Sequence, residues 1–583
     1  MSLIKVLKFG SSVLRAEEDL PLAVHEIYRE WRRGAQVLAV VSAFGDTTDG
    51  LLARAECLCP QPEPSALAAL LATGEATSAA LLGLALARAG VPARVLDPAQ
   101  AGLLTRGGRL DAELISADTE RLHEELRRGV VVLPGFVGRD AEGGTTLLGR
   151  GGSDLTALFL AEQLGGRCVL VKDVDGLFTA DPARPALARP RRFERVSWGT
   201  AATVGGKVVQ PKAVRFAESR GLSFEITSPG AATATDVCHG PDLPSARTSP
   251  AAPLRVALLG CGTVGGGLYE RLAALPEFFE VTGVATRTPE RALSAGVPAH
   301  LIAFGPEELI ERDCDVVVEL FGGVERAGEL VSHALRLGRH IVTANKALVA
   351  EAGGRLEALA AASHATLRYS AAVGGVLPAL ETVGRLRACG RIGALTGVLN
   401  GTTNFVLDLL AAGEDFDSAV RAAQAAGFAE ADPTLDLDGT DAAQKLVILA
   451  RHAFGLDVNA EEVRRVGLDR VEPARVRAAR DEGLAVRLVA SCRRNGKGVE
   501  ASVTPTELPL THPLATTEGA ENRLLVETEA GECHLVTGRG AGRWPTTEAV
   551  LADLFDLRHE VCAAGFRADA AACAAPYKEA CVA

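Results

Sequence analysis

The stretch Leu254-Arg-Val-Ala-Leu-Leu-Gly260-Cys-Gly262-Thr-Val-Gly265 decides the fold of the second half of this 583-residue chain. A short apolar run leads into the pattern G-x-G-x-x-G, whose glycines permit a tight turn and a close backbone approach to a pyrophosphate at a helix N-terminus. The pattern predicts a dinucleotide-binding turn, whose phosphate-facing positions are Gly260, Gly262, Thr263, Val264 and Gly265. An ordinary glycine-rich turn is the alternative. Because this turn normally opens its domain, the residues before it require a fold of their own.

Length and charge narrow the class of protein. A chain of 583 residues is too long to fold around a single hydrophobic core, so two or three domains are expected. A net charge of −12 argues against nucleic-acid and membrane-surface partners and favours small-molecule substrates. The N-terminus runs directly into strand-like Ile4–Phe9 without a signal peptide, and we expect no apolar run that spans a bilayer. The 12 cysteines lack zinc-binding spacing, which favours reduced thiols and a cytoplasmic location.

The first part of the chain, residues 1–228, alternates apolar runs with alanine-rich helical segments. This pattern predicts a mostly parallel sheet with helices on both faces. The predicted strands are Ile4–Phe9, Gln36–Val41, Val130–Leu133 and Cys168–Lys172, and the predicted helices include 66–89 and 154–164. Residues 229–253 are rich in Pro, Ala, Ser, Thr and Gly without periodicity, which predicts a linker.

The remaining chain predicts a second α/β fold followed by an α+β region. Residues 254–368 alternate strands (254–259, 280–285, 315–320, 340–343) with helices (264–274, 325–337), as in a Rossmann domain. Residues 369–535 mix helices with strand-like Glu500–Thr504 and Arg523–Glu527, and 567–583 form an alanine-rich tail. The predicted fold class is therefore α/β, with an α+β region after the Rossmann part.

Lysine usage marks candidate functional positions. Only nine of the 61 basic residues are lysine, so a retained lysine is enriched for proton donation or for acting as a compact charge. Asp441 and Lys445 have the i, i+4 spacing that puts both on one helix face. A surface ion pair is the alternative interpretation of that spacing.

Residues after the predicted second Rossmann strand bear on the cofactor. NAD-binding domains usually have an acidic residue at the end of this strand, which holds the ribose hydroxyls. Here the strand ends in Ala285-Thr286-Arg287, and the missing acid and the nearby arginine favour NADP, with its 2′-phosphate, over NAD. A solvated loop arginine is the alternative, and NAD stays open. The strand starting at Asp315 ends in Gly322-Gly323, where the backbone would pass close to the cofactor.

Five spaced motifs resemble homoserine dehydrogenase over about 254–560. They are Arg339–Ala350, Asn400–Phe405, Gly427–Pro433, Asp436–Lys445 and Gly538–Thr546. The resemblance implies that Lys445 is the general acid oriented by Asp441, that Glu430 and Asp436 bind the substrate ammonium, and that Lys346 lies between nicotinamide and substrate. It also implies that 536–566, with Gly540, completes the NADP-binding domain, and that 369–535 is a catalytic and dimerisation domain.

The same resemblance implies a monovalent cation such as Na⁺ or K⁺. Its carbonyl ligands would come from Val373, Gly375, Gly427 and Glu430. Here Ser370 stands where an acidic residue is common in the family, which departs from the pattern.

A second glycine cluster, Gly149-Arg150-Gly151-Gly152-Ser153-Asp154, precedes a predicted helix and suits an anion nest. A tight turn with a capping side chain is the alternative. Together with four other motifs it resembles the aspartate kinase catalytic domain, an amino-acid-kinase-like α/β sandwich, over 4–228. Those motifs are Lys8–Gly10, Val41–Asp49, Thr73–Glu75 and Asp173–Asp181.

The resemblance assigns roles around ATP with Mg²⁺ and L-aspartate. Lys8 would clamp the phosphates, Arg150 would bind the α-carboxylate, and Glu75 and Asp154 would take the ammonium or align the site. Ser42 and Thr48 are the hydroxyls near the substrate, and the nucleotide-side positions are Gly10, Asp173, Asp181 and Lys207.

Two departures leave an alternative open for the first half. Ser11 stands where the family has glycine, and Lys172 replaces a small hydroxyl residue. The expectation is a bifunctional aspartate kinase and homoserine dehydrogenase. The alternative is a dehydrogenase fused to a weak or inactive kinase-like module. About 25 residues separate the halves, so we expect none of the paired regulatory domains that such fusions usually carry there.

Overall fold

The computed structural model describes residues 3–182, 190–206, 208–245, 252–303, 305–496 and 498–573, with side chains to residue 563. The chain divides into two compact units, Met1–Ser249 and Pro250–Ala583. Each unit has its own buried apolar core, as the sequence predicted for two separate folds.

The first unit alternates strands and helices. Its strands are β1 (Ile4–Phe9), β2 (Gln36–Val41), β3 (Ala93–Val95), β4 (Leu104–Gly108), β5 (Asp111–Ser116), β6 (Val130–Pro134), β7 (Val137–Arg139), β8 (Thr145–Leu147), β9 (Arg167–Val171), β10 (Phe193–Ser197), β11 (Phe224–Thr227), β12 (Thr235–Cys238) and β13 (Leu243–Pro244). Its helices are α1 (Leu20–Arg32), α2 (Thr47–Leu58), α3 (Pro64–Ala89), α4 (Thr119–Arg128), α5 (Gly152–Gln163), α6 (Trp198–Val204) and α7 (Pro211–Arg220).

A nine-stranded sheet forms the centre of this unit, in the order β13-β10-β12-β11-β9-β1-β2-β6-β3. The strands from β11 through β9, β1 and β2 to β6 and β3 pair in parallel, which confirms the predicted mostly parallel sheet. Strands β1, β2, β6 and β9 are buried almost throughout, as expected for strands covered on both faces. A smaller sheet has the order β5-β4-β7-β8.

The predicted linker 229–253 was wrong over its first half. Strand β12 lies between β11 and β10, and β13 pairs with β10. The buried Thr235 hydroxyl accepts the Leu177 amide at 3.0 Å and donates to the Phe193 carbonyl at 2.6 Å, and Val237 is buried. Composition did not predict β12, because a four-residue strand is too short to show a recognisable alternation of apolar and polar residues. Residues 246–251 of the predicted linker lie outside the described residues.

The expectation that no apolar run is long enough to span a bilayer was also wrong, as judged by helix length and composition alone. Helix α3 is long and apolar enough to cross a membrane on those criteria. Leu67, Leu71, Leu82 and Leu86 of this helix are nevertheless buried inside the unit, and Glu75 lies in its middle. The core helix of a soluble protein meets the same criteria, so this feature alone decides nothing about a membrane.

The second unit contains the following elements. Its strands are β14 (Leu254–Leu259), β15 (Phe279–Ala285), β16 (Ile302–Ala303), β17 (Val316–Glu319), β18 (His340–Thr343), β19 (Leu367–Arg368), β20 (Ile392–Val398), β21 (Arg464–Arg465), β22 (Leu484–Asn495), β23 (Gly498–Pro509), β24 (Glu521–Thr528) and β25 (Cys533–Arg539). Its helices are α8 (Thr263–Ala273), α9 (Pro289–Ser294), α10 (Pro306–Glu311), α11 (Glu325–Arg336), α12 (Lys346–Ala362), α13 (Ser370–Gly374), α14 (Ala379–Cys389), α15 (Gly401–Ala412), α16 (Phe416–Ala425), α17 (Thr434–Leu437), α18 (Thr440–Phe454), α19 (Pro473–Asp481) and α20 (Arg543–Cys573).

Six parallel strands in the order β16-β15-β14-β17-β18-β19 form the predicted Rossmann sheet. The strand order reverses between β14 and its two neighbours, β15 and β17. Dinucleotides bind outside the carboxyl ends of the strands at such a point. The turn at Gly260 follows β14 and therefore lies at this position.

The chain returns to the Rossmann sheet later than the predicted residue 536. Strand β25 continues to Arg539 in a second sheet, of order β21-β23-β22-β20-β24-β25, so the return begins after it. Helix α20 then packs on α8, where Arg271 pairs with Glu548 at 3.0 Å. The predicted tail begins too early as well, because α20 continues to Cys573. Residues 574–583 lie outside the described residues.

The position of β12 predicts where the first unit can be cut. A chain ending at residue 228 lacks β12 and β13, and it exposes the partners of Thr235 and Val237. We expect its free energy of unfolding to be lower than that of a chain ending at 249 by at least about 3 kcal/mol, from one buried valine and the lost hydrogen bonds. Urea unfolding of the two fragments measures this difference. Equal midpoints would restore the linker interpretation of 229–245.

Candidate active sites

The glycine turn of the second unit has the geometry of a phosphate cradle. Gly260 has φ +111°, and a Cβ there would lie 2.8 Å from the Leu320 carbonyl oxygen. A Cβ at Gly265 would lie 2.1 Å from the Gly260 oxygen, whereas a Cβ at Gly262 would meet nothing within 4 Å. Gly260 and Gly265 therefore serve the turn and the helix–strand packing. Gly262 leaves open space where a pyrophosphate could approach Thr263 and the start of α8.

The cofactor-side residues predicted from sequence lie at the same edge of the sheet. The Gly260 amide donates to the Ala285 carbonyl at 2.9 Å, which brings the end of β15 beside the turn, and Arg287 is exposed two residues later. Gly322 has φ +74° at the end of β17. Sequence reasoning missed Glu319, which is fully buried and accepts the amides of Phe321 and Gly322 at 2.8 and 3.1 Å.

One buried carboxylate joins two lysines in this unit. Asp441 lies in the first turn of α18, and its Oδ2 is 2.8 Å from the Lys445 Nζ on the same helix. Its Oδ1 is 2.7 Å from the Nζ of Lys346, the first residue of α12. The predicted helical spacing of Asp441 and Lys445 is confirmed, and the pair is buried rather than a surface ion pair.

The charges of this cluster are set by mutual contact. Burial would raise the pKa of Asp441, but Lys445 and Lys346 outweigh it and hold that pKa far below its usual range. Burial likewise opposes the charge of Lys346, yet Asp441 keeps the pKa of Lys346 above its ordinary value. Lys445 donates a second hydrogen bond to the Leu399 carbonyl at 2.7 Å. An ammonium has three donors, and these partners use two of them.

The predicted ammonium-binding acids lie next to this cluster. Asn400 donates to Asp436 at 2.7 Å and to Asp441 at 2.9 Å, and Thr402 donates to Asp436 at 3.1 Å. Burial and the nearby Asp441 charge raise the pKa of Asp436. Glu430 is close enough to raise the pKa of Lys346. Sequence reasoning quoted the Asn400 motif but missed that Asn400 orients both carboxylates.

The four predicted cation ligands lie in two segments. Val373 is buried in α13, and a Cβ at the following Gly375 would lie 2.8 Å from the Arg539 carbonyl oxygen. Gly427 ends the turn after α16, and the Glu430 carbonyl accepts the Gln424 amide at 3.2 Å. The cation stays a prediction.

Gly540 lies close to the catalytic cluster. A Cβ there would lie 2.0 Å from the Asn522 Nδ2, which donates at 3.0 Å to the same Leu399 carbonyl that accepts from Lys445. This contact explains the glycine, and its role toward the cofactor stays a prediction.

The first unit has a cavity of about 430 Å³ at the carboxyl ends of β1, β2 and β9. Most of the predicted site residues line it, namely Lys8, Gly10, Ser42, Thr48, Glu75, Arg150, Asp154 and Asp173. Asp181 is exposed and does not line it, so its nucleotide role stays a prediction. Lys207 lies outside the described residues. Lys172 and Ser11, the two departures that leave the inactive-module alternative open, also line the cavity.

A second shared carboxylate is found here. Asp154 is in the first turn of α5, and its Oδ1 lies 2.8 Å from the Lys8 Nζ. Lys172 donates to Oδ1 and Oδ2 of the same aspartate at 3.0 and 2.9 Å. Against burial, the two ammoniums lower the pKa of Asp154 to about 2. Asp154 therefore aligns two cations.

Glu75 is a buried acid in this cavity with one carboxylate oxygen available to a ligand. It accepts the Ala43 amide, while its Oε2 is buried without a hydrogen-bond partner among the residues that the structure describes. Burial raises the pKa of Glu75 to about 7. An ammonium ligand would satisfy the open oxygen and favour the charged form.

Comparisons with known proteins give the family of the second unit. Residues 260–370 match the model described as the homoserine dehydrogenase NAD binding domain, and 378–555 match the homoserine dehydrogenase model. The chain is 39% identical over 314 residues to the homoserine dehydrogenase of Mycobacterium leprae, covering 51% of this chain and 71% of that one. It is 36% identical to the enzyme of Neisseria gonorrhoeae over 52% of this chain and 72% of that one. The chain belongs to the homoserine dehydrogenase family.

A solved structure and a third family model complete the comparison. The homoserine dehydrogenase of Thiobacillus denitrificans superposes with a TM-score of 0.51 and 37% identity, covering 53% of this chain and 74% of that one. Residues 4–228 match the amino acid kinase family. The predicted order, an amino acid kinase domain followed by a homoserine dehydrogenase, is therefore confirmed, and so is the α/β fold class.

The raised pKa of Glu75 predicts a gain in stability when its charge is removed. The folded pKa of about 7 exceeds the unfolded value of about 4.5, so folding stability falls as pH rises from 4.5 through 7. We expect Glu75→Gln to raise the free energy of unfolding by at most about 3 kcal/mol at pH 8, and by less at pH 5. Denaturant unfolding followed by tryptophan fluorescence measures this. Exposed Glu56→Gln is the control, and a loss of stability in Glu75→Gln at pH 8 would contradict the prediction.

Proposed function

We propose that this chain is a bifunctional enzyme. Its second unit reduces L-aspartate 4-semialdehyde to L-homoserine with NADPH, and its first unit phosphorylates L-aspartate to 4-phospho-L-aspartate with ATP. The observation that carries the first activity is the Lys346–Asp441–Lys445 cluster in a homoserine dehydrogenase fold. The observation that carries the second is the Lys8–Asp154–Lys172 cluster in an amino acid kinase cavity.

In the reductase, Lys445 would protonate the carbonyl oxygen. The bound dihydronicotinamide supplies the hydride to the carbonyl carbon. Lys445 uses its third N–H donor on the oxygen, gives up that proton as charge develops, and stays oriented by Asp441 and the Leu399 carbonyl. Lys346 offers a second positive charge to the substrate carboxylate or carbonyl, and Asp436 and Glu430 receive the substrate ammonium.

The residues present fit a dinucleotide. Gly262 leaves space that a side chain would fill, and the first turn of α8 directs amide donors toward it. Arg287 beside the end of β15 would pair with a 2′-phosphate, which supports NADP, with NAD as the weaker alternative.

In the kinase, a side-chain carboxylate oxygen of aspartate attacks the γ-phosphorus of ATP while the bond to the ADP oxygen breaks. Lys8 stabilises the transferring phosphoryl group, Arg150 would bind the α-carboxylate bidentately, and Glu75 would accept the ammonium. Mg²⁺ would be held largely by phosphate oxygens, as is usual for Mg²⁺ that accompanies a nucleotide.

Further features follow from the resemblance. We propose a homodimer through 369–535 and a monovalent cation near Val373 and Gly427. The kinase product is an acyl phosphate and the reductase substrate is an aldehyde, so a separate reductase must act between the two activities. The fusion would therefore fix the ratio of the two activities rather than pass an intermediate directly.

A reciprocal experiment in the full-length protein tests the two activities. Lys445→Met should lower NADPH-dependent turnover at least about 100-fold, because the proton donor is lost, with cofactor affinity and aspartate-dependent ADP formation retained. Lys8→Met should do the reverse. Lys5→Met is the control. Lys5 lies on the same strand as Lys8 and pairs with Glu30 of α1. Absence of aspartate-dependent ADP formation in the unmodified chain would favour the inactive kinase-like module.

The cofactor preference has its own test. Arg287→Ala should lower the ratio of kcat/KM for NADPH to that for NADH by about tenfold or more, since one charge-assisted contact to the 2′-phosphate is lost. Exposed Arg291→Ala on α9 is the matched control. An unchanged ratio in Arg287→Ala would remove Arg287 from the cofactor site.

A further inference from the structure

We propose that Lys172 is a second phosphate-binding ammonium of the kinase cavity, which contacts the transferring phosphoryl group together with Lys8. The inference rests on the kinase half of the proposed function and assigns a role to a residue that departs from the family pattern. It opposes the simpler interpretation that Lys172 impairs the site.

The sheet places the two lysines side by side. Strand β9 pairs in parallel with β1, in the register Lys8↔Leu170 and Phe9↔Val171, so Lys172 continues β9 at the edge where Lys8 is found. The Lys172 amide donates to the Thr227 carbonyl at 2.7 Å, which fixes its backbone to β11. Both ammoniums therefore come from sheet-anchored positions and meet at Asp154.

Two buried ammoniums share one buried carboxylate at this site. Lys8 and Lys172 have side chains only 6% and 8% exposed, and they share the single carboxylate of Asp154. Buried charges are costly unless they are paired, so two ammoniums on one carboxylate are incompletely compensated without a ligand. Both line the 430 Å³ cavity, and an anionic phosphate chain is the complementary occupant.

The cavity keeps room for these ammoniums. A Cβ at Gly10 would lie 2.8 Å from the Lys8 Nζ, so a side chain there would displace the Lys8 ammonium from its position at Asp154. Ser11, the other departure, is exposed at the cavity and leaves that arrangement intact. Lys172 thus adds a cation to an intact site.

The reaction places defined demands on Lys172. As the aspartate carboxylate oxygen bonds to the γ-phosphorus, the phosphorus–oxygen bond to ADP breaks and its electron pair stays on ADP. Neither lysine gains or loses a proton in this step. Lys172 must only be charged, and it then stabilises the phosphoryl oxygens in the transition state.

The groups that face Lys172 set the pH range of that charge. They are Lys8 from β1, Asp154 from α5 and Cys168 on its own strand. The other charged residues that line the same cavity are Glu75 from α3, Asp49 from α2, Arg150 and Asp173. Burial and the Lys8 charge lower the pKa of Lys172 to about 8, against the opposing effect of Asp154. Free enzyme should therefore lose the Lys172 charge as pH rises through 8.

Substitutions of Lys172 in the full-length protein test the proposal. Lys172→Thr restores the small hydroxyl residue and Lys172→Met keeps the length without charge. We expect both to lower kcat for aspartate-dependent ADP formation by about 100-fold or more, with the KM for aspartate changed less than about threefold. Lys172→Arg should recover part of the activity and remove the fall in kcat/KM for ATP above pH 8. Lys5→Thr is the control for loss of a lysine on the same sheet, and thermal melting confirms folding.

A binding measurement keeps this inference separate from the proposed substrate. By calorimetry with Mg²⁺, the unmodified chain should bind a non-hydrolysable ATP analogue more tightly than ADP, and Lys172→Met should lose at least about tenfold of that difference. The unmodified chain could lack aspartate-dependent turnover while Lys172→Met still loses the preference for the ATP analogue over ADP. That result would refute aspartate as the substrate and support phosphate binding by Lys172. Equal or faster turnover in Lys172→Thr, or an unchanged binding difference, would overturn the role of Lys172.

Discussion

Each unit of this protein depends on one buried aspartate that is ion-paired with two lysines. Asp154 begins α5 and Asp441 begins α18, and in both helices the preceding cap is a glycine with φ near +80°. A carboxylate in the first helical turn is favoured by the helix dipole, and two ammoniums within 3.0 Å keep it ionised. In the first unit all three charged side chains are buried, whereas in the second unit Lys346 is partly exposed.

Burying two ammoniums against one carboxylate is costly, and further hydrogen bonds or charges lower that cost. Removing one partner of a buried ion pair typically costs about 3–5 kcal/mol, because the other charge is left behind. In the second unit Asn400 and the Leu399 carbonyl supply hydrogen bonds that complete the cluster. In the first unit Lys8 and Lys172 line a cavity, where the proposed phosphate ligand would supply the further compensation.

Sequence patterns predicted the local parts of both sites well. The spacing of Asp441 and Lys445, the turn at Gly260 and the parallel strands all follow from periodicity and glycine placement. The contact between Lys346 and Asp441 could not be predicted from spacing, since it joins two helices far apart in sequence. Lys172 replaces a small hydroxyl residue of the family pattern, and its contact with Asp154 depends on the packing of α5 on β9, which spacing does not show.

Composition misled where short elements depend on distant partners. Residues 229–245 resemble a linker, yet Thr235 is buried because Leu177 and Phe193 satisfy its hydroxyl. The apolar composition of α3 likewise suits a membrane, while its Glu75 lies in a polar cavity. Whether a polar side chain is buried depends on hydrogen-bond partners that are distant in sequence, and a short stretch of sequence does not contain them.

The two clusters differ in how their lysines are supplied, and that difference suits the two reactions. Lys8 and Lys172 come from neighbouring strand ends, so the sheet holds both charges still for a transfer in which neither loses a proton. Lys445 shares a helix with Asp441, while Lys346 begins α12 directly after the Rossmann strand β18. Asp441 therefore bridges the cofactor-binding fold and the α+β domain of the second unit. Because one carboxylate holds both lysines, Lys445, the proposed proton donor, keeps this position only when these two parts are packed together.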